Sequence, residues 1–321
     1  MQYFYLTIER QQYYVYNLIG DKMYINMLSD YLKDTFGEKL YRISLDGGMT
    51  CPNRDGTCGE RGCIFCNESG SGEFTPDRFL SLNEQIEAGK TLVAHKTKSD
   101  KYIAYFQAFS NTYAPIEYLQ KLFTEVINRE DIAVLSIATR PDCLGEDVIM
   151  LLNELNNIKP VWVELGLQSA KEETAEFIRR GYKNQIYEEA VTKLKSAGCK
   201  VITHLILGLP NETKDDMINS ARYAGKNSDG VKFHMLYVTK DSDLDFYYKE
   251  VGFHVLSREE YIDILCGCIR VIPKNVVIHR LTGDGEKSKL IAPLWSQNKK
   301  KVLREISNAF IDRNIEQGEY I

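Results

Sequence analysis

Two periodicities alternate along this chain. Short runs rich in Val, Ile and Tyr stand at residues 41–46, 102–107, 133–139, 161–167, 201–207 and 232–238. Between them, near 83–97, 115–128, 145–155, 171–180, 186–197 and 213–225, apolar residues recur at three- and four-residue spacing. Strand-like runs separated by single amphipathic helices predict βα units and a parallel sheet, hence an α/β fold. Six such units suit a partial barrel or a doubly wound open sheet, and periodicity does not separate the two. A helical pattern also starts at Met23, carried by Ile25, Leu28, Tyr31 and Leu32. Beyond the sixth unit the pattern predicts a helix near 257–270, a strand at 276–281 and a terminal helix near 299–312. Residues 1–22 hold Tyr3, Tyr5, Tyr13, Tyr14 and Tyr16 without a clear period and read as a peripheral extension.

Composition narrows the class. The chain has 321 residues, 44% hydrophobic and 26% charged, as expected of a globular protein with a sizeable core. No apolar run reaches the roughly 20 residues a bilayer span needs. The N-terminus lacks the basic start, apolar middle and small-residue cleavage site of a signal peptide, so a cytoplasmic location without membrane attachment is the expectation. The net charge of −5 argues against a protein that coats nucleic acid, though not against a local basic patch.

The eight cysteines change the picture most. Cys51, Cys58, Cys63 and Cys66 crowd into 16 residues, whereas Cys143, Cys199, Cys266 and Cys268 are scattered and read as core packing. With no secretory signal, such crowding points to metal binding rather than disulfides. The segment around them, SLDGGMTCPNRDGTCGERGCIFCNESGSGEF (44–74), directly follows the first predicted strand. Ligands of parallel α/β folds gather at that end of the strands. Cys63 and Cys66 form a CxxC pair, and a third thiolate must come from Cys51 or Cys58. An iron–sulfur cluster held by three cysteines leaves one iron open to a substrate or cofactor. A zinc site using all four cysteines is the alternative, although the C-x6-C-x4-C-x2-C spacing lacks the two short pairs common to such sites.

The same segment resembles the radical S-adenosylmethionine (SAM) superfamily. Within it, the chain resembles the YtqA/YhcC branch, which is similar to the catalytic subunit of Elongator. That branch shows SLDGGFTCPNRDG followed by a GGC-x-FC pair; SLDGGMTCPNRDG and RGCIFC occupy the matching places here. The resemblance continues through YFQAFSNTYAP (105–115), TRPDCL (139–144), VELGLQSA (163–170), HLILGLPNET (204–213) and HRLTGDG…IAPLWSQNK (279–299). It implies a partial (β/α)6 barrel, with an extension at 1–22, a core at 23–240 and a C-terminal extension at 241–321 packed on the barrel. It also implies a [4Fe–4S] cluster on Cys51, Cys63 and Cys66, with Cys58 a bystander. SAM binds the open iron, and one electron from the cluster cleaves it to a 5′-deoxyadenosyl radical that abstracts hydrogen from carbon. A reducing electron donor such as flavodoxin or ferredoxin is implied as well.

Candidate SAM contacts follow by position. Gly70, Gly72 and Glu73 stand where many relatives receive the SAM amino group. Gln107, Glu164 and Gln168 stand at or just after strands facing the cofactor. Arg180 matches the Arg that pairs with the SAM carboxylate, a task suited to a bidentate guanidinium. His234 and His279 are the histidines expected to line a substrate pocket. The resemblance points to tRNA as partner, at the wobble uridine, and to maturation of a 5-carboxymethylaminomethyl side chain. Arg280, Lys287, Lys289, Lys299, Lys300, Lys301 and Arg304 are the basic residues that could meet phosphate, with Trp295 as a stacking candidate. A radical SAM oxidoreductase acting on a small molecule or protein side chain is the competing expectation.

Overall fold

The computed structural model describes residues 25–70, 72, 75–97, 99–240, 242–283 and 285–321. The extension expected at 1–22 lies outside the described residues, as does Glu73. After a first helix, α1 (Leu28–Phe36), the chain alternates strand and helix. The order is β1 (Tyr41–Leu45), α2 (Leu82–Val93), β2 (Tyr102–Phe106), α3 (Ile116–Ile127), β3 (Ile132–Thr139), α4 (Glu146–Asn156) and β4 (Val161–Gln168). Two helices, α5 (Glu172–Phe177) and α6 (Asn184–Ser196), precede β5 (Lys200–Leu207). Then come α7 (Lys214–Asn227) and β6 (Gly230–Met235). The remainder adds β7 (Val238–Thr239), α8 (Asp243–Glu250), α9 (Arg258–Arg270), β8 (Val277–Arg280), β9 (Leu290–Ala292) and α10 (Lys299–Asp312).

All six expected strands form, and β8 joins them as a seventh. The sheet order is β1-β2-β3-β4-β5-β6-β8, and every pairing in it is parallel. The sheet curls: the guanidinium of Arg42 on the first edge strand meets His279 on the last at 3.0 Å. It is therefore a partial barrel rather than an open sheet. Strands buried on both faces read as continuous apolar runs, as β2 does with all five residues buried. Sequence periodicity missed α8 and the small β7–β9 ribbon, which are too short to carry a pattern.

Local signals start several helices. Ser81, Thr213 and Ser257 cap α2, α7 and α9 in capping boxes with Glu84, Asp216 and Glu260. Each helix lays an apolar stripe on the sheet; α3 buries Leu119, Leu122, Phe123, Val126 and Ile127. The glycine at 89 lets α2 lie close on β1, because a Cβ there would collide with Ile43. Cys143, Cys199, Cys266 and Cys268 are buried in this packing. Among the described residues no helix is long and apolar enough to cross a membrane.

Candidate active site

The long connection between β1 and α2 carries the cysteines, and its own hydrogen bonds fold it back on itself. The carbonyl of Pro52 accepts from the amides of Cys58 and Gly59 at 2.7 and 3.2 Å, and that of Asn53 from Gly62 at 2.6 Å. These bonds return the chain so that Cys51, Cys63 and Cys66 line one cavity of about 190 Å3. Cys58 sits on the outside of the same turn, exposed, and does not line it. Burial first, then the neighbouring Cys66 and Cys51, pushes the Cys63 thiol up to about 12, against the lowering effect of Arg140. Among the described residues no three His, Cys, Asp or Glu groups converge to hold a single metal ion. A cube spreads its irons, so thiols serving it need not share one point.

Three contacts fix this loop from outside. The Asn53 amide donates to the Arg179 carbonyl at 2.6 Å and to Cys63 Sγ at 3.5 Å. Arg54 donates to the carbonyls of Cys66 and Asn67 and lies over the Phe109 ring. From the other side, Asp243 at the start of α8 takes both Arg61 and Arg179, and the Leu244 amide donates to Ile64 O at 2.8 Å.

Gly70 lines the cavity, whereas Gly72 packs against Ala108 and Thr75 outside its lining. Gly70 has φ +57°, and a Cβ there would run into the Phe109 ring. Gln107 lines the cavity and accepts from Ser44 Oγ at 2.9 Å. At the end of β4, Gln168 adopts φ +60° beside a register shift. Its Oε1 is buried without a hydrogen-bond partner. An orphaned acceptor beside three thiols, in a cavity walled by Phe65, Phe109 and Ala138, fits a polar ligand bound next to the group the thiols would hold.

Two expected cofactor contacts, Arg180 and Glu164, line the cavity with their polar atoms already engaged by the protein. Arg180 is 1% exposed, and all five of its N–H groups are engaged. They go to Leu167 O, Ser169 O, Tyr182 O and Asn184 Oδ1. None is left for a carboxylate. The reason is that α5 stops at Phe177, short of the helix expected to residue 180, and Arg180 ties the following loop to the end of β4. Glu164 is likewise engaged. Its carboxylate accepts from Ser136 Oγ at 2.8 Å and pairs with His204 at 2.7 Å, Arg42 at 3.5 Å and the Lys232 ammonium. These five side chains come from β3, β4, β5, β1 and β6, and form one ionic layer inside the barrel. Burial alone would raise the Glu164 carboxyl; Lys232 and Arg42 more than reverse this and hold it well below its ordinary value. Burial, and then Lys232, lowers His204 to about 4, so its imidazole is neutral at neutral pH.

The ionic layer went unrecognised in the sequence, although charged residues inside otherwise apolar parallel strands (Arg42, Lys232) were its signal. A second cavity, of about 510 Å3, adjoins the first and shares Tyr105, Gln107, Gln168, His204, His234 and Arg280 with it. It continues to Tyr237, Thr239 and Glu286 of the C-terminal part. His234 lines both cavities as expected of a pocket residue. His279 does not: it packs edge-on against Trp162 and faces the opposite end of the sheet. It meets Arg42 at 3.0 Å at that end of the interior, and a register shift between β6 and β8 accompanies the placing of Arg280 in both cavities. Trp295 donates to Leu256 O at 3.0 Å and packs on Tyr261, which makes it a structural residue. Asn111 also serves the fold, donating to three carbonyls at 2.9–3.2 Å.

A curled parallel barrel with three thiols at the C-terminal end of its first strand defines the class, and family models agree. The Radical SAM superfamily model matches residues 56–224 and the Radical_SAM C-terminal domain model residues 228–311. The chain belongs to the radical SAM superfamily. It is similar to the uncharacterized protein YtqA of Bacillus subtilis, with 42% identity over 91% of each chain. A tRNA uridine(34) acetyltransferase of Methanocaldococcus jannaschii is 30% identical over 47% of this chain and 28% of its own. Among solved structures, an Elp3 from Methanocaldococcus infernus superposes with a TM-score of 0.64 at 18% identity. It covers 87% of this chain and 64% of its own, a likeness of fold.

Proposed function

We propose that the protein is a radical SAM enzyme that modifies the wobble uridine of tRNA, in maturation of a 5-carboxymethylaminomethyl side chain. The observation that carries the radical chemistry is the cavity lined by Cys51, Cys63 and Cys66 and continuous with a second, polar one. In this reading the three thiolates hold a [4Fe–4S] cluster. Gly70 and Gly72, with Glu73, let the chain approach the SAM amino end; Gln107 supplies its amide group and Gln168 its Nε2 to the polar atoms of SAM, which leaves Gln168 Oε1 to the substrate side. Bound there, the cluster and SAM together supply hydrogen-atom abstraction from an unactivated carbon. The chain's own contribution is placement and an apolar wall: Phe109 and Ala138 line the thiol-lined cavity, and Phe65 lines both cavities where they meet. A reducing donor such as a flavodoxin or ferredoxin delivers the electron.

The tRNA substrate is supported by the relative named for uridine 34 and by the fold shared with Elp3. The experiment is nucleoside mass spectrometry of tRNA from cells lacking this protein. Accumulation of an unprocessed 5-substituted wobble uridine is expected; an unchanged profile removes the substrate and leaves the radical chemistry standing. The second reading, a small-molecule or protein side-chain substrate, draws on the acidic net charge of −5.

A further inference from the structure

We propose that Arg280 is the specificity residue of the second cavity, binding a carboxylate on the substrate, with an N–H of the same substrate group received by Gln168. This rests on the radical SAM reading above, which makes the second cavity the substrate's.

The argument is one of charge and unpaired atoms. The ionic layer and the cavities beside it hold two guanidiniums, Arg42 and Arg280, and the ammonium of Lys232, against the one buried carboxylate of Glu164; the other carboxylate of the second cavity, Glu286, is part-exposed and pairs with Lys289. The Glu164 carboxylate is already shared among Ser136, His204, Lys232 and Arg42. Even if Lys232 gives up its proton under burial and the field of Arg42, two guanidiniums still face one carboxylate. Arg280 lines both cavities, and no described residue gives it a hydrogen bond or an ion pair within 4.0 Å. A guanidinium has no neutral form to retreat to, so it is satisfied by water or by an anion. The surrounding imidazoles do not add charge: burial first, and then Arg280, holds His234 well below its ordinary value.

Two further atoms in the same space lack partners. They are His234 Nε2 and Gln168 Oε1, both buried. A neutral imidazole nitrogen can donate to an oxyanion, and an amide oxygen accepts only from a donor. A guanidinium, an imidazole and an amide oxygen together match a carboxylate with an N–H close by. A phosphate fits less well. Its charge calls for several donors, and the unpaired amide oxygen would face it unfavourably. Because Arg280 stands where the cavities join, an anchored carboxylate would hold the adjoining carbons toward the thiol-lined side. Arg280 thus acts by position and recognition.

The test uses anaerobic holoenzyme with SAM and no reductant, so that nothing turns over. Anticodon stem-loops carrying 5-carboxymethylaminomethyluridine, or its primary amide, are titrated by fluorescence anisotropy. Wild-type protein is expected to prefer the acid by about tenfold or more, as one charge-assisted contact provides. Arg280→Met should bring the two ligands to near parity, and Arg280→Lys should keep part of the preference. A preference that survives in Arg280→Met overturns the assignment, as does a wild type that binds acid and amide alike. Competition by inorganic phosphate but not by N-methylglycine would also overturn it, in favour of a phosphate site. If no stem-loop binds, the tRNA reading fails on its own, and the free nucleoside acid then decides. Arg280-dependent binding of that nucleoside upholds the site, and no binding ends it.

Discussion

Replacing Lys232 with Met tests whether the ionic layer inside the barrel is held together by charge pairing. The Lys232 and Glu164 side chains are 1% and 0% exposed and in direct contact. Removing one member of a buried pair commonly costs about 3–5 kcal/mol, because the survivor stays charged in a poor solvent. Here the survivor retains Arg42 at 3.5 Å and hydrogen bonds from His204 and Ser136, which places the expected loss at the lower end, about 3 kcal/mol. For a chain of this size that corresponds to a fall in melting temperature of roughly 4–5 °C. Glu164→Gln in the same chain removes the stranded charge, so the double variant should recover about half the loss, and the coupling is that recovery, about 1.5 kcal/mol, plus whatever Glu164→Gln costs alone. Thermal and urea unfolding of the four proteins measure this cycle. A Lys232→Met loss under about 1 kcal/mol, or strictly additive effects, would refute a paired ionic layer.

Two other expectations follow from the site. Cys58→Ala should retain iron and the visible absorption of a reconstituted cluster while Cys63→Ala loses both; equal loss in the two would show that the exposed thiol is a ligand. His204 has a folded-state value near 4 against an ordinary 6.5, so the unfolded chain binds the extra proton between those values. Stability should therefore fall by up to about 3 kcal/mol as pH drops from 6.5 toward 4, and His204→Gln should flatten that slope in urea titrations.

The alternation of strand and helix was plain in the sequence because each β-rich run and each amphipathic helix is a local pattern. The cysteine loop was equally visible, since its residues are neighbours in the chain. The ionic layer was not. Ser136 and His204 flank Glu164 on neighbouring strands, but Arg42 and Lys232 stand on strands not adjacent to it, and the curl of the sheet brings them within reach. His279 and Arg280 show the same limit on a smaller scale: both occupy one short strand, and its irregular register against β6, which no sequence pattern shows, accompanies the placing of Arg280 in the cavities and His279 at the other end of the interior. The RRGY stretch hid a similar choice. Arg179 turns outward at φ +56° to meet Asp243, and Arg180 turns inward to the carbonyls at the end of β4.

The clasp of Asp243 on Arg61 and Arg179 bears on how the protein matures. The cysteines leave the ribosome early, yet the acid that pins their loop, and the amide of Leu244 that braces Ile64, are translated long afterwards. Until that tardy helix docks, the thiols are tethered on one flank only. In the proposed reading, a cluster on these thiols would therefore be loaded late in biogenesis, once the chain is nearly whole.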